Sequence, residues 1–267
     1  MLRERGIVDI GRLGPGRWPT LRAALEAGAL EEVRRLAETV APSIDPARVE
    51  LDVPVPDADA FWCAGRNYRD HVAEMDAAAA QQPSIFIRTR ASLCAHGQPV
   101  VRPKISTNFD YEGELALVFG KRGRAIAKGD ALSYIAGYSC FLDGSIRDWQ
   151  KHSVTAGKNF WRSGGFGPWL VTADEVGDPT KLTLETRVSG ERRQHSTTDL
   201  LIFDIPTLIA YVSAIAEVRP GDVLATGTPS GVAAGMKPPR WLAAGDTVEV
   251  EISKVGTLRH TIVDEQR

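Results

Sequence analysis

The chain has 267 residues, 43% of them hydrophobic and 25% charged, with a formal net charge of -2. This composition sits near the globular average and excludes a disordered chain, and the length suffices for one large domain or one domain with a small appendage. With no basic excess, a nucleic-acid partner has no electrostatic support. Cys63, Cys94 and Cys140 are scattered and form neither a disulfide framework nor a C-x-x-C zinc pair, so a reducing cytoplasm fits best. The opening MLRERGIVDIGRLG lacks the apolar core of a signal peptide, and no stretch reaches the roughly 18 apolar residues of a membrane helix. The expectation is a soluble cytoplasmic protein with no membrane partner.

Taken in chain order, residues 19–40 come first. Leu21, Ala24, Leu25, Ala29, Val33, Leu36 and Val40 recur mostly at three- and four-residue spacing in a segment rich in Ala, Glu and Arg. That spacing predicts an amphipathic helix, which Gly28 can split in two. Pro42, Pro46, Pro54 and Pro56 then punctuate a loop. The expected boundary lies near residue 56, between a small N-terminal domain (1–55) and a larger domain (56–267). Beyond it the texture is β. Val118–Phe119, Tyr134–Phe141, Trp169–Thr172, Leu182–Val188, Val223–Ala225 and Val248–Ile252 are short apolar or β-branched runs separated by turn residues. One helical patch, Ile205–Ala216, interrupts them. Many short strands and few helices predict a β-rich α+β fold, either a rolled sandwich or an irregular barrel.

Five polar clusters carry possible chemistry. In Asp110-Tyr-Glu-Gly-Glu-Leu-Ala-Leu-Val-Phe-Gly120 the apolar tail marks a strand, so Glu112 and Glu114 share one face. Like charges there repel unless a cation joins them, and a hard divalent ion suits carboxylate oxygens. Alone, such a pair more often faces solvent on an edge strand. Asp143 follows the apolar run Tyr134-Ile-Ala-Gly-Tyr138 and stands where a third carboxylate would complete a site. If the segment turns helical, Arg147 and Gln150 share its face, and an arginine there suits a substrate carboxylate. The plain alternative makes Asp143 a helix N-cap. His71 and Glu74 stand three apart, a spacing that on a helical turn gives an oriented base or, more commonly, a surface pair. Lys158, in a turn-rich aromatic setting, is either an oxyanion-stabilising group or a solvated lysine. The loop Thr226-Gly-Thr-Pro-Ser-Gly231 offers N–H groups and hydroxyls to an anion or is a connecting turn; it lacks the lysine and spacing of a nucleotide-binding loop.

In order along the chain stand GRNYRDHVAEM, PSIFIRTRASL, DYEGELALVFGK, AGYSCFLDGSIRDWQ, GKNF with GPW, and PGDVLATGTPSGV. This set resembles the fumarylacetoacetate hydrolase family, in its smaller acylpyruvase and 2-hydroxyhepta-2,4-diene-1,7-dioate isomerase-like branch, from about Phe61 to Ile262. The resemblance implies a mixed β-roll and usually a homodimer. It implies Mg²⁺ or Mn²⁺ (Ca²⁺ in some crystals) held by Glu112, Glu114 and Asp143. It implies His71 and Glu74 as a water-activating pair on a mobile segment, with Lys158 and Gln150 steadying an oxyanion. Arg66, Tyr68, Arg88, Arg147 and Thr228 are then the expected substrate-binding residues.

Two departures stand out. Many relatives carry lysine at Arg88, and many carry an acidic residue where Trp161 and Arg162 follow Phe160, which points to a different substrate pocket. The expected activity is metal-dependent hydrolysis of a C–C bond in a small 2-oxo or β-diketo acid such as an acylpyruvate. Decarboxylation of oxaloacetate-like acids or isomerisation of hydroxymuconate-type acids would use the same site, and a catalytically silent binding relative is the non-enzyme alternative.

Overall fold

The computed structural model describes residues 1–3, 6–76 and 80–266, with only the backbone of Arg3. Seven strands lie side by side in one mixed sheet. Their spatial order is Ser84–Arg88, Phe61–Gly65, Val223–Ala225, Gly113–Phe119, Ile135–Leu142, Gly164–Thr172 and Leu93–Cys94. A five-stranded sheet runs Glu191–Thr197, Thr183–Val188, Thr247–Ile252, Gly256–Asp264 and Val100–Arg102. The result is the sheet-rich α+β architecture expected from the spacing of short apolar runs.

The alternation of side chains along the Gly113–Phe119 strand organises the interior. Leu115, Leu117 and Phe119 point one way and join Leu184, Val250 and Leu258 of the smaller sheet in one core. Ala116 and Val118 point the other way and join Phe61, Cys63, Phe141, Val223 and Ala225 in a second core. All seven residues of the strand are buried, which explains its nearly unbroken apolar run. The helix Ile205–Ile215 lays Leu208, Ile209 and Val212 on the first core, and the Asp204 carboxylate caps it by accepting from Thr207 N–H at 2.8 Å.

The residue 19–40 segment forms two helices, Leu21–Glu26 and Leu30–Glu38. Gly28 separates them at φ +62°, a left-handed conformation that glycine takes without a Cβ clash. Leu25, Val53 and Val55 belong to the second core, and Arg22 pairs with Asp59 at 2.7 Å. Through these residues the N-terminal segment packs against the large sheet. Among the described residues no helix is long and apolar enough to cross a membrane.

Candidate metal centre

Strand register brings the three predicted acids together. Gly113 is opposed to Leu142 and Glu114 to Phe141 on antiparallel strands, and Asp143 N–H donates to the Glu112 carbonyl at 2.8 Å. Glu112 and Asp143 are thus the next opposed pair, and opposed residues share a face. Glu114, two residues from Glu112, shares it too. Ligand oxygens of the three carboxylates lie within 4.8 Å of one another, with the residues only 6%, 1% and 1% exposed in chain order. Asp143 is not a helix cap: the short helix Arg147–Gln150 has Ile146 as its N-cap, and the Asp143 carboxylate is bound elsewhere.

Three cations surround this cluster. Lys158 Nζ lies 2.5 Å from Glu112 Oε2, 2.5 Å from Asp143 Oδ2 and 3.3 Å from the Asp143 carbonyl. Arg147 Nη2 is 2.7 Å from Glu112 Oε1, its Nε donates to Asp110 Oδ2 at 2.8 Å, and its Nη1 donates to Gln150 Oε1 at 3.1 Å. Arg88 donates to Asp143 Oδ1 at 2.6 Å, and its remaining contacts are the Gly144 carbonyl, the Ser92 hydroxyl and carbonyl, and the Ser163 hydroxyl. The buried Arg88 guanidinium is therefore engaged by protein groups around Asp143.

The electrostatics separate the two glutamates. Burial pushes the Glu112 carboxyl up, but Lys158 and Arg147 outweigh it and hold the group down at about 2. Burial also pushes Glu114 up, and the neighbouring Asp143 and Glu112 charges push it further, well above the ordinary carboxyl range. Among the described residues no cation pairs with Glu114, which accepts one hydrogen bond, from Gly227 N–H at 2.9 Å. A buried carboxylate with this little compensation calls for positive charge. Three convergent oxygen donors of this kind fit a hard divalent ion such as Mg²⁺ or Mn²⁺.

The other predicted residues divide into two groups. His71 is 3% exposed, on the helix Arg69–Glu74, and its Nδ1 is 3.3 Å from Glu74 Oε2. Glu74 Oε1 accepts from Gly231 N–H at 2.9 Å. Tyr68 is fully buried, its hydroxyl has no hydrogen-bond partner among the described residues, and burial followed by the Glu114 charge raises its pKa. Thr228 is buried, and its hydroxyl donates to the Gly113 carbonyl at 2.9 Å. Arg66 is exposed, at φ +49°, and joins no ion pair among the described residues. Trp161 is 61% exposed, and Arg162 donates to Gln98 and Pro99, so neither is tied to the carboxylates.

Three contributors escaped the sequence reading. Asp110 is fully buried, holds Arg147, and accepts from the N–H groups of Ala233 and Ala234 at 2.7 and 3.0 Å. Its place at the head of the Asp-Tyr-Glu-Gly-Glu motif was the available signal. Gly227, at φ +102°, aims its N–H at Glu114; a Cβ there would lie 2.7 Å from that of Asn67. Gln194 reaches in from the smaller sheet, and no local pattern marks it.

A model of the fumarylacetoacetate hydrolase C-terminal domain matches residues 60–263. The chain belongs to the fumarylacetoacetate hydrolase family. Among its family relatives is the mitochondrial oxaloacetate tautomerase Fahd2a of Rattus norvegicus, 36% identical over 263 residues, covering 97% of this chain and 84% of the relative. The maleylpyruvate hydrolase of Sphingobium sp. SYK-6, solved with manganese(II) and pyruvate, superposes with a TM-score of 0.84 at 30% identity, covering 100% of this chain and 96% of that one. The 5-carboxymethyl-2-hydroxymuconate delta-isomerase of Mycobacterium smegmatis superposes with a TM-score of 0.75 at 33% identity, covering 85% and 87%. The family members named here are enzymes of small carboxylic acids, but of different reaction classes.

Proposed function

We propose that this chain is a divalent-metal-dependent hydrolase that cleaves a C–C bond in a small acylpyruvate-like 2-oxo acid. The observation that carries the reading is the pairing of buried His71 with half-buried Glu74, together with the buried three-carboxylate cluster. Glu112, Glu114 and Asp143 would hold Mg²⁺ or Mn²⁺. Bound there, the ion would supply Lewis acidity toward a chelating 2-oxo acid and favour its enolate.

The chain's own groups do the rest. Glu74 holds His71 Nδ1, leaving Nε2 to take a proton from water. The hydroxide formed attacks the distal keto carbon. The C–C bond then breaks, the attacked carbon becomes a carboxylic acid, the electron pair leaves as the enolate of the other fragment, and the imidazolium gives its proton to that enolate's carbon. Gln150, its carbonyl oxygen fixed by Arg147, keeps its amide N–H for the developing oxyanion. Lys158 spends its donors on Glu112 and Asp143, so its role is to balance and align those two carboxylates. Arg66, Tyr68 and Thr228 would take the substrate carboxylate, as the family resemblance implies. By family resemblance we also assign a homodimer, which sedimentation of the purified chain would test.

A second reading, keto–enol tautomerisation of an oxaloacetate-like acid, uses the same pair to move a proton between carbon and oxygen. The similarity to the rat tautomerase along 97% of the chain favours it. The deciding experiment incubates the protein with Mn²⁺ or Mg²⁺, with and without chelator, against an acylpyruvate, oxaloacetate and a hydroxymuconate-type acid. Chelator-sensitive cleavage of the acylpyruvate supports hydrolysis. Faster enol decay of oxaloacetate without cleavage of any acid replaces it with the second reading. Tight binding without turnover of any of them marks a silent relative.

A further inference from the structure

The loop that follows strand Val223–Ala225 runs antiparallel to the start of strand Gly113–Phe119 and is bonded to it almost atom by atom. Thr226 donates to the Leu115 carbonyl from both N–H, at 2.9 Å, and hydroxyl, at 3.0 Å. Gly227 N–H donates to the Glu114 carboxylate, and the Thr228 hydroxyl to the Gly113 carbonyl. One side chain from the other sheet closes this arrangement. Gln194, on strand Glu191–Thr197 and 1% exposed, accepts from Gly113 N–H at 2.9 Å through Oε1. Its Nε2 donates to Thr228 Oγ1 at 2.8 Å and to the Pro229 carbonyl at 2.8 Å. Both amide protons and the amide oxygen are thus in use.

Gly113 is the residue between the two predicted metal-binding glutamates. Its N–H is tied to Gln194 and its carbonyl to Thr228, which Gln194 also holds. A Cβ at Gly113 would lie 2.1 Å from Thr186 Oγ1, so the smaller sheet also presses directly on this residue. The separation and direction of Glu112 and Glu114 follow from the peptide planes on either side of Gly113.

We propose that Gln194 is a positioning residue that sets the geometry of Glu112 and Glu114 through Gly113 and fixes the Thr228 loop against them. This rests on the metal-centre reading given above. Outer hydrogen-bond partners of metal ligands typically change metal affinity about 10–100-fold when removed.

The test is Mn²⁺ titration of the full chain followed by electron paramagnetic resonance, with folding checked by circular dichroism. The expected result for Gln194→Leu is a folded protein that binds Mn²⁺ roughly 10–100-fold more weakly. Thr228→Val removes the same link from the opposite side and serves if Gln194→Leu fails to fold. Where both fold, the double variant binds no more weakly than the poorer single one, because they break one unit. Ser139→Ala is the control for general loosening. Its buried hydroxyl donates to the Trp169 carbonyl at 2.7 Å within the same sheet, and its loss leaves Mn²⁺ affinity unchanged. Wild-type affinity in a folded Gln194→Leu, or in Thr228→Val when Gln194→Leu does not fold, overturns the proposal. An equal loss in Ser139→Ala overturns it as well. Failure of the wild-type chain to bind Mn²⁺ overturns the metal centre beneath it, a separate result from unaltered binding in the variants.

Discussion

At Glu112 three features meet: Lys158, Arg147 and the face shared with Glu114 and Asp143. Glu112→Ala is expected to abolish metal-stimulated turnover, and full activity with added Mn²⁺ would remove it from the ligand set. His71 has a different role. His71→Ala should lower turnover by about 10²–10⁴-fold, the usual worth of a general base. Its Mn²⁺ affinity should stay near wild type; an equal fall in affinity would move His71 from base to ligand. Arg88 pairs directly with Asp143. Arg88→Met leaves the Asp143 carboxylate with Lys158 alone, and breaking a buried pair in this way costs about 3–5 kcal/mol. Chemical denaturation would show that loss, and an unchanged midpoint would mean that Lys158 compensates. A β periodicity of two places Glu112 and Glu114 on one face, but that spacing alone fits a solvent-facing pair better; the family resemblance is what made the triad with Asp143 legible. The roles of Arg88 and Gln194 were not legible. Each acts through contacts with residues far away in the chain, as with Arg88 and Asp143 at a separation of 55.

At the level of elements, the loop from Thr226 to Gly235 ties base and carboxylates together. It donates to Glu114 from Gly227 N–H, to Glu74 from Gly231 N–H and to Asp110 from Ala233 N–H. Gly227→Ala should therefore harm more than local backbone comfort. Alanine resists φ +102°, and its Cβ would meet Asn67 at 2.7 Å, so the N–H must turn from Glu114. The expected cost is about 1–3 kcal/mol in stability together with weaker Mn²⁺ binding. Stability loss with intact binding would show that the Gly227 contact is dispensable. Elements were legible where burial imposes a clean pattern. The runs at Val223–Ala225 and Val248–Ile252, the Ile205 helix and the break at Gly28 all appeared in the periodicity. Strands Glu191–Thr197 and Gly256–Asp264 did not, because charged and hydroxyl side chains alternate with their buried positions. Their pairing comes from neighbours on the sheet rather than from their own apolar content.

The whole molecule depends on how the two sheets face each other, and His260 reports on that contact. It lies on strand Gly256–Asp264, 1% exposed, with Nδ1 2.9 Å from the Gln98 carbonyl and Nε2 buried without a partner among the described residues. Gly165 of the large sheet makes room for the ring; a Cβ there would lie 2.0 Å from Nε2. Nδ1 carries the proton and donates to Gln98, so a second proton at Nε2 would be a buried charge with no acceptor. Burial accordingly depresses the pKa from 6.5 to about 4, against a smaller opposing effect of the Gln98 carbonyl. The unfolded chain takes up that proton near pH 6.5, whereas the native chain refuses it until near pH 4. This contribution is fully present above pH 6.5, declines as the pH falls toward 4, and changes no further below. The slope approaches about 1.4 kcal/mol per pH unit, for a total of roughly 3 kcal/mol. Between pH 7 and pH 5 the wild-type chain should lose about 2 kcal/mol from this group. His260→Leu removes the titration while keeping the site apolar, so urea denaturation at the two pH values should show a smaller loss in the variant by that amount. Equal losses in both proteins would mean that the ring is protonated, and satisfied, in the native state.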